Sequence, residues 1–273
     1  MTIDRPGHGL SDFQPGRTLL DWPQDVDALS DHLGIDRFAV SGWSAGGAYG
    51  LAYAYRIPER LTAVGLISSF GPYDRAAATA GMDRSNKMAL AIARRMPWAV
   101  TRRVTAVMGR SFAKDPEASA QRRFASSPAP DREAMSDPQA ADMLLASMVE
   151  LFRAGSDGSA WEVRLLTRPW GFALHDIAVP VALWHGDADI NSPLAAASYL
   201  SRAIPGRGRL RPASRRQGLR ALARTRHARP HATARRHRHR LTRPRTRSIP
   251  TIPHQGATHD HIHRPREHQT RRH

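Results

Sequence analysis

The chain has no cysteine among its 273 residues, which excludes disulfides and thiolate metal sites. It has no apolar run long enough to span a bilayer. The opening Met1-Thr2-Ile3-Asp4-Arg5-Pro6 lacks the apolar core of a secretory signal, so a cytoplasmic location is the expectation. Other absences are local. The six Trp, five Tyr and seven Phe all lie before residue 206, and from there to His273 there is no Lys and only two acids, Asp260 and Glu267, against 20 Arg. Ten of the 14 His also fall in that tail, so the formal charge of +17 belongs to it, and residues 1–205 are close to neutral. Such a segment cannot bury enough apolar surface to offset its ordering entropy. The expectation is a globular body followed by a disordered basic tail, 206–273.

Within the body, residues 4–12 form a turn-rich loop. Helical spacing of Trp22, Val26, Leu29 and Leu33 predicts a helix over 21–33, stopped at Gly34. A short apolar strand follows over 37–41, then a sharp turn over 42–47 and a helix over 48–56, with Pro58 beyond it. The run 61–68 reads as a buried parallel strand, completing a βαβ unit. Residues 72–168 change character: Arg- and Met-rich helical stretches at 83–96, 100–113 and 139–154 are separated or flanked by prolines, as in a helical cap inserted into a sheet. Strand character returns over 178–185, and a helix follows over 193–204. No strand is expected after it. The expected divisions are therefore 1–71, 72–168, 169–205 and 206–273.

Gly42-Trp43-Ser44-Ala45-Gly46 matches the pattern G-x-S-x-G. The pentapeptide alone is weak, but here it joins a predicted strand to a predicted helix. That is the setting of a nucleophile elbow, in which a tight turn lifts a serine hydroxyl above the sheet edge. The following helix N-terminus favours developing negative charge, and the Ala45 N–H would donate to an oxyanion. The bland alternative is a Gly-rich turn that only packs closely.

At this point the sequence resembles the α/β-hydrolase fold family, of the esterase and lipase type. Three stretches carry the likeness in the family's order: Asp4-Arg5-Pro6-Gly7-His8-Gly9-Leu10-Ser11, Gly42 to Gly47, and Gly186-Asp187-Ala188-Asp189 with Pro193 beyond. The resemblance implies an α/β fold with a mostly parallel sheet and an inserted cap, and a triad in the order Ser, Asp, His. Carried over, Ser44 is the nucleophile and Asp189 the acid. Asp187 is the lesser candidate, and a turn-forming or capping role is the alternative for both. His185 is expected to be packed. A Ser nucleophile points to acyl transfer from an ester-like small molecule to water, with no cofactor and no metal.

The sequence departs from the family after the helix at 193–204. The triad histidine is expected near 213–220, but no His occurs between Gly186 and Arg226, and the first beyond is His227. The base is therefore unassigned, with His227 the nearest candidate. The family's first strands, and the loop bearing its second oxyanion donor, have no counterpart before Asp4. Both departures suggest an internal Met taken as the start and a shifted reading frame beyond residue 205, since GC-rich frames yield Arg, Pro, His and Ala. An inactive hydrolase fragment is one rival reading. Another is a non-enzymatic protein whose tail binds nucleic acid or anionic surfaces by charge alone, without sequence specificity, because the tail lacks aromatic residues for stacking. His259-Asp260-His261-Ile262-His263 is a weak metal candidate. Met88, Met96, Met108, Met135, Met143 and Met148 are expected to pack the cap on itself, or else to give an apolar substrate an adaptable lining. Oligomeric state is not legible.

Overall fold

The computed structural model of the chain describes residues 1–82, 84–125, 127–205 and 209–213. The expectations for the tail beyond residue 213, including His227 and the 259–263 cluster, lie outside the described residues.

Four parallel strands form one sheet in the order β1 (Phe38–Trp43), β2 (Leu61–Ile67), β3 (Val181–Gly186), β4 (Arg209–Ala213). Parallel neighbours need crossovers, and helices supply them. Helix α1 (Trp22–His32) precedes β1, α2 (Gly46–Arg56) joins β1 to β2, and α9 (Leu194–Ala203) joins β3 to β4. The apolar face of α2 is nearly all small or aromatic, which lets the helix lie close to the sheet. Ala48, Leu51 and Ala52 are fully buried, in one cluster with Val64 and Leu66 of β2, Leu183 of β3 and Leu200 of α9. β2 and β3 read as continuous apolar runs because parallel strands are covered on both faces.

Strand β1 differs. Among the described residues it is an edge, paired only to β2. Ala39, Ser41 and Trp43 are exposed, Trp43 to 59%.

Six helices lie between β2 and β3: α3 (Arg84–Arg95), α4 (Trp98–Lys114), α5 (Pro116–Phe124), α6 (Ala129–Ala134), α7 (Pro138–Leu151) and α8 (Asp157–Leu166). Asp115 and Asp137 cap α5 and α7 by accepting from Ala118 N–H and Gln139 N–H, with Pro116 and Pro138 in the first turns. Helix α4 packs on α8, α5 and α7 through Thr101, Thr105, Gly109 and Phe112, which repeat at helical spacing. Met88, Met108 and Met143 are more than 40% exposed. These three therefore do not pack the inserted helices together, as the sequence had suggested.

The second correction is β4. No strand was expected after residue 204, yet Arg209–Ala213 pairs in register with Ala182–Gly186. A strand at the edge of a parallel sheet needs backbone partners on one side only, so it can form without the apolar run that marks a buried strand.

Candidate active site

Ser44 follows β1 and Asp189 follows β3, both at the carboxyl ends of parallel strands, with β2 between them. Two strand spacings put these ends roughly 10 Å apart. In an open parallel sheet this edge is where ligands bind.

The turn at Ser44 is strained and closely held. Its φ of 54° lies in the left-handed region, which a side chain other than glycine rarely adopts. The backbone is fixed from both sides: Ser44 N–H donates to the Ile67 carbonyl at 3.0 Å, and the Ser44 carbonyl accepts from Gly47 N–H and Phe70 N–H, each at 3.1 Å. Two glycines make the turn possible. A Cβ on Gly42 would collide with the Gly46 backbone, and one on Gly47 with the Ser69 side chain. Ala45 immediately precedes α2, whose first N–H groups have no acceptor within the helix.

Asp189 Oδ1 accepts from Asn191 N–H at 2.9 Å and Ser192 N–H at 2.8 Å, which closes a tight turn after β3. Its Oδ2 is 3.9 Å from His185 Nε2. His185 is 2% exposed with Nε2 2.7 Å from the Ser192 carbonyl, and so is packed under this turn as expected. Asp187 is exposed at the tip. A chain of contacts joins the two turns. Ser192 Oγ donates to the Ser69 carbonyl at 2.6 Å, and the next residue, Phe70, donates to Ser44. The inserted helices also reach the Asp189 turn. Asn86 of α3 donates to the Ile190 carbonyl at 2.9 Å, and the Asp131 carboxyl of α6 is raised by burial and by the charge of Asp189.

Beside this edge is a buried ionic cluster that the sequence did not reveal. Glu162 Oε1 accepts from Tyr49 Oη at 2.6 Å, Arg17 Nη2 at 2.9 Å and Arg5 Nε at 3.1 Å, and His8 Nε2 lies 3.7 Å away. Burial alone would raise the Glu162 carboxyl. Arg5, His8, Arg17 and Tyr49 overcome it and hold the group well below the usual range. The cluster pins the loop at 4–17 and helix α8 to α2, the helix that begins at the Ser44 turn. Gly7 and Gly158 touch backbone to backbone in the same contact, where a Cβ on either would clash. Trp161 Nε1 donates to the Arg17 carbonyl at 2.8 Å.

Two cavities lie among the inserted helices. One, about 390 Å³, is lined by Phe124, Met135, Leu144 and Leu145 among others. The other, about 200 Å³, is lined by Tyr73, Thr79, Lys87, Arg94, Arg95 and Thr167 with Leu90 and Ala91. No group of three His, Cys, Asp or Glu able to hold a metal occurs among the described residues. No helix among them is long and apolar enough to cross a membrane.

A family model described as the alpha/beta hydrolase fold matches residues 1–215. The chain is 32% identical over 202 residues to a pimeloyl-[acyl-carrier protein] methyl ester esterase of Aromatoleum aromaticum, covering 73% of this chain and 72% of that one. Among solved structures, an enol-lactonase from Burkholderia xenovorans LB400 is 24% identical with a TM-score of 0.51, over 82% of this chain and 76% of that one. An esterase from Exiguobacterium antarcticum is 17% identical with a TM-score of 0.51, over 81% and 76%.

Proposed function

Because the chain belongs to the α/β-hydrolase fold family, we propose that it is a serine-type hydrolase of ester-like small molecules, with Ser44 as the nucleophile. The observation that carries this reading is the left-handed Ser44 at the end of β1. A serine kept at positive φ by three backbone hydrogen bonds is costly unless its position at the strand end matters. In this reading Ser44 Oγ attacks the ester carbonyl. The Ala45 N–H stabilises the oxyanion that develops, in line with the N-terminus of α2. The role of Asp189, oriented by Asn191 and Ser192, is to hold with its other oxygen an imidazole that takes the serine proton and later returns it to the leaving alcohol; no residue between Gly186 and Arg226 supplies that imidazole. Water then releases the acid by the same route.

The inserted helices act as a cap over the Asp189 turn, through Asn86 and Asp131. The apolar cavity among α5, α6 and α7 supports an apolar part in the substrate. The ester esterase and the enol-lactonase above are named for carbonyl–oxygen bond chemistry, which supports this substrate class.

A second reading, a catalytically impaired hydrolase, rests on one specific observation: no histidine occurs between Gly186 and Arg226. Hydrolysis of a short p-nitrophenyl ester, with and without added imidazole as a surrogate base, tests the first reading. A rate above the imidazole background that is lost in Ser44→Ala supports it. A rate that survives the substitution removes Ser44 from the mechanism.

A further inference from the structure

We propose that the 200 Å³ cavity beside α3 is a subsite for an anionic group of the substrate, a carboxylate or a phosphate, held away from the ester bond. This rests on the serine-hydrolase reading above and narrows its substrate class. The cavity wall carries three cations, Lys87, Arg94 and Arg95, and no carboxylate; the hydroxyls of Tyr73, Thr79 and Thr167, which also line it, already donate to the carbonyls of Asn191, Ala76 and Val163. Lys87, Leu90, Ala91 and Arg94 fall at i, i+3, i+4 and i+7, which places them on one face of α3.

Some cations elsewhere in the body have carboxylate partners, Arg60 with Asp27 and Asp31, Arg102 with Asp157, Arg153 with Glu150; others, such as Arg103 and Arg110, make no ion pair among the described residues, so it is the shared concavity that sets Lys87, Arg94 and Arg95 apart. Lys87, Arg94 and Arg95 make no ion pair among the described residues, and residues 84–114 contain eight Lys and Arg and no acid. Favourable placement at a helix C-terminus accounts for Arg94 and Arg95. It does not account for Lys87, which lies in the first turn of α3. Three cations that share one concavity repel one another, and an anion relieves that repulsion with charge-assisted hydrogen bonds.

The cavity is also tied to the reaction edge. The Tyr73 ring packs on Phe70 at 5.2 Å, and Phe70 N–H donates to the Ser44 carbonyl. Tyr73 Oη donates to the Asn191 carbonyl at 3.4 Å, in the Asp189 turn. Burial raises the Tyr73 hydroxyl, against an opposing hydrogen bond with Ser192, so it stays protonated and keeps its bond to the Asn191 carbonyl. The volume suits one charged group and a short length of chain rather than a whole drug-sized ligand.

Calorimetric titration of the full chain carrying Ser44→Ala, with monomethyl adipate, inorganic phosphate and neutral dimethyl adipate, tests this without turnover. At least one anion is expected to bind more tightly than the diester and to weaken at high salt. Its affinity should fall about ten-fold or more in Arg94→Gln/Arg95→Gln and in Lys87→Met, as loss of a charge-assisted bond predicts. Arg103→Gln, on the exposed face of α4, should bind like the parent. Binding of the monoester alone identifies a carboxylate, and of phosphate alone a phosphate. Failure of both anions to bind, or affinity unchanged by the substitutions, overturns the subsite. Anion binding together with ester hydrolysis that survives Ser44→Ala keeps the subsite and removes the serine reading. Ser44-dependent hydrolysis without anion binding does the reverse.

Discussion

Tyr49 Oη donates a 2.6 Å hydrogen bond to Glu162 Oε1, joining the helix behind the Ser44 turn to the last inserted helix across 113 residues of sequence. Arg17 Nη1 in turn donates to Tyr49 Oη at 2.7 Å. Because Glu162 is buried and shared by Arg5 and Arg17, removing its charge strands two cations. Glu162→Gln is expected to lower stability by about 3 kcal/mol, the scale of breaking a buried ion pair from one side. Tyr49→Phe removes one hydrogen bond to a charged group and should cost about 2 kcal/mol. Urea denaturation of the three proteins checks both values and their order.

The same cluster gives stability a pH dependence of known sign. The folded Glu162 carboxyl is depressed below its unfolded value by its cations, against the opposing effect of burial. The unfolded chain therefore binds the extra proton first, so the stabilisation is complete above the ordinary glutamate range and is lost as pH falls through and below it. The midpoint of urea unfolding should drop from pH 6 to pH 3, and the drop should be smaller in Glu162→Gln. Equal pH slopes in the two proteins would place the acid sensitivity elsewhere.

Most elements were legible because each had a local cause: apolar runs for β2 and β3, helical spacing for α1, and a glycine-flanked serine between strand and helix for the elbow. The turn at Asp189 was legible through resemblance. What stayed hidden was set by distant partners. Arg5, Arg17 and Glu162 have the composition of surface residues, and only folding brings them together over up to 157 residues. β4 was hidden because Arg209-Leu210-Arg211-Pro212-Ala213 has no apolar run, and its partner strand ends 23 residues earlier. The cations of α3 were read as part of an Arg-rich cap, since sequence does not show which charges line one cavity.

Strain at Ser44, the proposed nucleophile, predicts a trade of stability against activity. Left-handed φ costs a non-glycine residue roughly 1–2 kcal/mol, partly offset in glycine by its greater unfolded freedom. Ser44→Gly should therefore be more stable than Ser44→Ala by about 1 kcal/mol, with both equally inactive. Thermal unfolding of the pair reads this directly. An alanine variant as stable as the glycine variant would mean that the turn relaxes once the hydroxyl is gone.

Gly42 is the position where the elbow tolerates least. Its Cβ would meet Gly46 backbone rather than a movable side chain, so accommodation must displace the start of α2. Gly42→Ala is expected to cost about 2 kcal/mol or more, on the scale of overpacking a tight site. Gly16→Ala, with positive φ but open space around it, should cost less. Unfolding midpoints of the two variants decide the order.

The last prediction is that this 273-residue chain turns over p-nitrophenyl esters poorly by itself. A serine hydroxyl at neutral pH is a weak nucleophile until a base takes its proton. Among the described residues the histidine beside Asp189 is His185, and it is unsuited to the task. It is 2% exposed, its Nε2 is already 2.7 Å from the Ser192 carbonyl, and it sits beneath the turn that Asp189 forms. No other histidine occurs before His227 on that side of the chain. Triad members act as a unit, so the loss of one removes most of what the others contribute. Turnover without a base should thus stay within about ten-fold of the Ser44→Ala blank, since such a site keeps only the residual catalysis that survives triad loss. Added imidazole should raise the rate of the parent above that of Ser44→Ala, because the surrogate supplies the base that the Ser44 hydroxyl needs. Turnover far above the blank with no imidazole would show that the chain carries its own base, and His227→Ala would be the first variant to make.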